Sequence, residues 1–283
     1  MKRLTKKQKW LWSFFALFVV LVVATSFGND LAARKGQEFP SYSPKDITSL
    51  IEQLSQQGQL NMKEFDLLYR QTGLSASAAV TLANQGKATQ ILDYQNALFH
   101  KAEYKTLSTN LCTGEETLTA PEEDLLAFPD LQDGDILVTA AAHTLGWRHG
   151  HCGLVIDAEK GEILEAFTWG KPSEICSLKK WLRYPNVIQL RLKESGTSQN
   201  TGLLAANHGR AELNGVPYSL FSDFHQDSDT PKTTHCAHLI RDSYLPYGIE
   251  LKRGFLVTPK DIANSDDFNV IQVRGMDPIT LWE

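Results

Sequence analysis

An α+β fold is what this 283-residue sequence predicts, on three observations. Short apolar runs bounded by turn residues recur after Pro129: DILVTA, HCGLVID, EILEAF, NVIQLRL (186–192) and NVIQVRG (269–275). The second and third are separated by Glu159-Lys160-Gly161, the signature of a β-hairpin turn. The helical patterns, LLAANHGRAEL and CAHLIRDSYLPYG, stand apart from these runs and do not alternate with them. Antiparallel strands with segregated helices give α+β, not a doubly wound sheet.

The elements follow in chain order. MKRLTKKQK carries Lys2, Arg3, Lys6, Lys7 and Lys9, and Trp10–Gly28 then runs without a charge. A helix needs about 20 apolar residues to cross a bilayer, and a cationic flank stays in the cytoplasm. Residues 1–28 therefore read as a membrane anchor or a signal peptide, with Ala24-Thr25-Ser26 as the small-residue cleavage site of the second reading. Both put the rest of the chain outside the cytoplasmic membrane. Residues 29–43 read as a linker.

Residues 44–128 read as a helical subdomain. Leu50, Ile51 and Leu54 form a stripe ending near Gly58. Asn61 caps MKEFDLLYRQT, which Gly73 stops, and Ser75 or Ser77 opens a further short helix. ATQILDYQNALFHKAEYK has helical spacing as well. Nothing chemical is concentrated here, so the subdomain reads as structural. The polar stretches 195–201 and 222–230 read as loops. A net charge of -5, with no basic stripe beyond the first nine residues, excludes nucleic acid as an expected partner.

Chemistry concentrates in residues 129–283. RHGHCGLV places His149, His151 and Cys152 within four positions. Along a strand, alternate side chains share a face, so His149 and His151 should point one way and Cys152 the other, into the core with Leu154 and Ile156. KTTHCAHLIRDSYLPYG puts Cys236 in the first turn of a helix that Thr233 or Thr234 caps. The positive end of the helix lowers a thiol pKa there. His235 and His238 are near in sequence, but a base must meet the thiol from across a cleft, which a strand histidine such as His151 does. Glu165, on the next strand, is the candidate to orient the imidazole. Whether it shares the face of His151 depends on the hairpin register, which stays open. Trp147 and His149 are candidates to line the cleft, and Tyr218 to donate to an oxyanion; each is also an ordinary packing residue.

The order GDIL, GHCGLV, LEA and THCAHLI resembles the circularly permuted papain-like amidases, the YiiX-like branch of the NlpC superfamily. The resemblance covers residues 129–283. It implies a permuted papain-like domain of antiparallel sheet and packed helices, with Cys236 as nucleophile, His151 as base and Glu165 as third residue. The chain departs from the family at Cys152, where an apolar residue is usual, and at Ala237-His238, where Ser-Glu is usual.

The expectation is a thiol hydrolase outside the membrane, cleaving an amide or ester through an acyl-enzyme without a cofactor. Its substrate would be a cell-wall peptide or a lipid-linked molecule, and acyl transfer would use the same residues. Two alternatives stay open: a binding module that keeps the cleft without turnover, and a zinc hydrolase using His149 and His151, with His143 and Cys152 as further ligands. Cys112 with Cys176 is a conceivable disulfide outside a cell.

Overall fold

The computed structural model describes residues 5–33, 37–109, 113–144, 146–193, 200–222, 232–251 and 256–282. The expected polar loops at 195–201 and 222–230 fall almost wholly outside them, although Thr201 already begins a helix. The fold is mixed α+β, with two antiparallel sheets and, among the described residues, nine α-helices.

Helix α1, Lys6–Ala33, is the apolar N-terminal segment. Its stretch Lys6–Ala24 is long and apolar enough to cross a membrane, and none of that stretch is buried against the protein. The helix runs five residues past Gly28, into the stretch expected to be linker. Residues beyond it lie along the protein body: Glu38 N–H donates to Gly275 O, and Ala102 N–H to Gln37 Oε1.

The helices α2 (Thr48–Gln57), α3 (Met62–Thr72), α4 (Ala76–Asn84) and α5 (Ile91–Phe99) follow. Their ends are written locally. Asn61 and Glu64 form a reciprocal capping box at the start of α3, and Gly58 and Gly73 end α2 and α3 in the left-handed conformation. Ser75, not Ser77, caps α4. ATQILDYQNALFHKAEYK is helical only to Phe99. Tyr104 already belongs to strand β1 (Tyr104–Ser108), which pairs with β2 (Thr113–Leu118). Strand β4 (Ala142–Thr144) adds to β2 and completes a three-stranded sheet.

The larger sheet holds the remaining strands: β3 (Ile136–Thr139), β5 (His151–Asp157), β6 (Glu162–Glu165), β7 (Glu174–Ser177), β8 (Val187–Leu192) and β9 (Phe268–Arg274). Their spatial order is β7-β6-β5-β3-β8-β9, all antiparallel. Both faces are covered, which is why these strands read as continuous apolar runs. One face carries Val138, Cys152, Leu154, Ile156 and Ile188, packed under α7 (Thr201–Glu212), α8 (Cys236–Tyr244) and α9 (Pro259–Ala263). The opposite face carries Leu137, Val155 and Ile163, closed by Trp181 of α6 (Leu178–Leu182) and by Tyr184. At the β9 edge Ile271 enters the core of the α2–α5 bundle. There Gly73, at φ 72°, lies so close to Val273 that a Cβ would stand 2.1 Å from its carbonyl oxygen.

Asp135, the acid of GDIL, is spent on structure. It is buried and takes Arg191 Nε at 2.8 Å and Gln189 Nε2 at 2.7 Å. Gly134 beside it sits at φ 89° against the backbone of Gly202, where a Cβ would meet the Gly202 carbonyl carbon at 2.3 Å. The motif thus joins the start of β3 to β8 and α7.

Candidate active site

His151 opens β5 and is buried. Its ring stacks on Trp181, with centroids 5.4 Å apart and planes 21° apart, and meets the edge of Phe167 at 4.9 Å. These two contacts fix the plane of the imidazole. Its Nε2 faces Glu165 Oε2 at 3.1 Å. The ring also hydrogen-bonds Cys236, for which Nδ1 is the remaining nitrogen. The structure therefore brings the three expected residues into one chain of contacts: thiol, imidazole, carboxylate.

The face of Glu165 is decided by a bulge. Val155 pairs with Ile163 but Asp157 with Glu162, so Ile156 has no partner in the ladder. Counting from Asp157–Glu162 without the bulge, Glu165 would oppose Leu154 and point into the α8 side of the sheet. The extra residue moves it opposite Gly153, on the face of His151. Gly153 has no room for a side chain on that face: a Cβ would stand 2.8 Å from both Ile163 Cγ2 and Trp181 Cζ2.

Lys180 holds the second oxygen of Glu165, Oε1, at 2.5 Å, and its ammonium lies 4.0 Å from the centre of the Phe167 ring. Sequence reasoning missed this residue. Ser177 caps α6, Trp181 turns inward, and Lys179 turns out to Glu122. Nothing in the Lys-Lys pair says which of the two reaches a carboxylate made by another strand.

Cys236 is the first residue of α8, in the first turn as expected. The cap is not Thr233 or Thr234. Thr234 is buried in a bridge to Tyr218, and the His235 side chain takes the N–H of His238 at 3.4 Å instead. His235 also hydrogen-bonds Cys236. His238 turns away to Asp242 Oδ2 at 2.9 Å.

Cys152 lies, as expected, on the opposite strand face from His151 and in the core. That face is the one α8 covers, so burial brings Cys152 to Cys236: the two thiols are hydrogen-bonded. Alternation along the strand locates the residue correctly, but it gives no sign that the helix end arrives from the same side.

His149 is a correction. The expectation that it shares a face with His151 assumes a strand through both. Gly150 between them has φ 73°, and β5 starts only at His151. His149 instead turns to Thr144 Oγ1 through Nε2 (2.9 Å) and to the Gly150 carbonyl through Nδ1 (2.7 Å). His143 pairs with buried Glu116 at 3.0 Å, and Arg148 joins the same carboxylate at 2.9 Å. The histidines of the expected zinc set are thus directed to separate partners. Among the described residues no three His, Cys, Asp or Glu side chains converge on one point. Trp147 is exposed and stands edge-on to His149, as a rim residue. Tyr218 packs half-buried near Cys236. Cys152, Cys176 and Cys236 are free thiols, and Cys112 lies outside the described residues.

The electrostatics follow from these contacts. The Cys152 hydrogen bond is the largest influence on Cys236. Burial opposes it, and His151 and His235 reinforce it, so the thiol is held well below its usual range. Burial disfavours charge on His151, but the hydrogen bonds to Cys236 and Glu165 outweigh it and push the ring up to about 9. Glu165 is likewise penalised by burial, yet His151 and Lys180 bring it down to about 2. These shifts all favour the charged forms, thiolate, imidazolium, carboxylate and ammonium, which alternate in sign along the chain of contacts. Burial pushes Tyr218 up, so its phenol keeps its proton. Burial pulls His149 down, toward the neutral ring.

No family model, no curated protein and no solved structure matches this chain.

Proposed function

We propose that the chain is a thiol hydrolase of the permuted papain-like kind, held at a membrane with residues 44–283 outside. The observation that carries this reading is the Cys236–His151–Glu165 chain at a helix N-terminus. A thiolate beside an imidazolium is the form in which a cysteine attacks a carbonyl.

In this mechanism Cys236 Sγ bonds to the carbonyl carbon of an amide or ester, and the carbonyl π electrons move to oxygen. The N–H groups of Cys236 and Ala237, which open α8 and have no acceptor within the helix, face the developing charge. The protonated phenol of Tyr218 is the candidate second donor. Collapse of the tetrahedral species expels the amine or alcohol, which takes its proton from His151 Nδ1. The neutral ring then removes a proton from water, the hydroxide attacks the thioester, and Cys236 leaves as thiolate. Glu165 holds Nε2 throughout, and Lys180 holds Glu165. The substrate is a cell-wall peptide or a lipid-linked amide or ester; both are close to an anchored domain on the outer side.

Labelling with iodoacetamide at neutral pH, lost in Cys236→Ser, tests the activated thiol. Incubation with wall fragments and with acyl-amide lipids, read by mass spectrometry, tests turnover. Labelling without any product would favour the binding module. Loss of activity to a chelator with recovery on zinc addition would overturn the thiol mechanism. Protease added to intact cells is expected to digest residues 44–283, and full protection would overturn the topology.

A further inference from the structure

Cys236 does not stand alone. Cys152 of β5 faces α8, whose first residue is Cys236; Cys236 packs against the core cluster that holds Cys152, and the two thiols interact there. The two differ in access. Cys236 is half-buried at the cleft, whereas Cys152 is fully buried behind it in β5. An oxidant entering the cleft therefore meets Cys236 first, and the nearest reductant is Cys152. Cys176 lies on the other side of the site, engaged with Glu165 and Trp181.

We propose that Cys152 and Cys236 form an oxidation switch, in which hydrogen peroxide acting on Cys236 leads to a Cys152–Cys236 disulfide that closes the nucleophile. In the first step the Cys236 thiolate attacks one peroxide oxygen, the O–O bond breaks, hydroxide leaves, and Cys236 becomes a sulfenic acid. In the second, Cys152 sulfur attacks the sulfenic sulfur. The S–O bond breaks, and the hydroxyl leaves as water with the Cys152 proton. The two thiols give up two electrons and peroxide takes them. An external dithiol returns two electrons and two protons and restores both cysteines. The pairing also spares Cys236: without a resolving thiol, a sulfenic acid goes on to sulfinic acid, which a dithiol does not reverse.

This switch rests on the activated thiol, but on no substrate, so its test does not depend on turnover. Full-length protein in detergent is treated with hydrogen peroxide, free thiols are blocked, and the digest is read by mass spectrometry. The expected result is a Cys152–Cys236 cross-linked peptide, with iodoacetamide labelling of Cys236 lost and then fully restored by dithiothreitol. In Cys152→Ser, and in Cys152→Ala if the serine destabilises the core, the same treatment should leave Cys236 as sulfinic or sulfonic acid, and labelling should not return. Over-oxidised Cys236 in the wild type, a cross-link to Cys112 or Cys176 in place of Cys152, or equal recovery in wild type and variants would overturn the proposal.

Discussion

Glu165 reaches His151 diagonally across the β5–β6 ladder: it stands opposite Gly153, two residues along from His151, and its Oε2 lies 3.1 Å from Nε2. Its other oxygen is taken by Lys180. The carboxylate thus ties the imidazole to α6, and in the proposed mechanism it orients and charges the ring without accepting the proton for good. His151→Ala should lower kcat/KM by about 10²–10⁴-fold, the usual worth of a positioned base. Glu165→Gln should lower it less, and the Lys180 side chain, 30% exposed, can then turn to water. A larger loss for Glu165→Gln than for His151→Ala, measured on the same substrate, would reverse these roles.

The pH dependence of activity follows from the same pair. In the proposed mechanism the reactive form has Cys236 deprotonated and His151 protonated. Cys236 is held low and His151 sits at about 9, so kcat/KM should be bell-shaped, flat through neutral pH and falling as pH rises through about 9. A profile that rises only near the pKa of a free thiol would show that no ion pair forms. Stability should follow a related window. Glu165, at about 2 when folded against the ordinary 4.5, stabilises the fold above pH 4.5 and loses that contribution as pH falls toward 2. His151, at about 9 against 6.5, stabilises it below pH 6.5 and loses that contribution as pH rises toward 9. Tm measured against pH should therefore show both losses, and Glu165→Gln should flatten the acidic one.

Gly150 should tolerate no side chain. At φ 73° an added Cβ would lie 2.6 Å from Thr139 O and 2.2 Å from the Trp282 ring. A left-handed site filled by alanine costs more than about 1 kcal/mol before any clash is counted. Because Gly150 immediately precedes His151, Gly150→Ala should lower Tm and kcat together. Unchanged thermal unfolding and activity would contradict this packing.

Cys152→Ala should separate packing from electrostatics. The lost volume in a filled core costs on the order of 1 kcal/mol. The lost hydrogen bond should move the acidic limb of the activity profile, and of thiol labelling, to higher pH while the maximal rate is largely kept. Cys236→Ala should abolish activity at every pH. An inactive Cys152→Ala beside an active Cys236→Ala would exchange the nucleophile.

Much of the fold was legible because its determinants are local. Asn61, Glu64 and Gly73 delimit α3 by groups within one turn of each end. The 157–162 turn and the apolar runs around it delimit the strands, since side-chain period and turn chemistry act over a few residues. The same locality misleads where tertiary partners compete. Thr234 is a good cap in isolation, but its bridge to Tyr218 leaves the capping to His235.

Local patterns were enough to begin a helix at Cys236, to set His151 on a strand, to turn Cys152 into the core, and to put an apolar N-terminal helix ahead of the body. Packing of the sheet against its helices set the rest: Glu165 faces His151, Lys180 and not Lys179 holds it, and the core-facing Cys152 meets Cys236. The physical reason is that a bulge of one residue exchanges the faces of a strand, and a helix docks on a face it does not itself encode. Contacts between side chains 14 to 84 residues apart in the chain depend on register and docking, which arise when the sheet and its helices pack together.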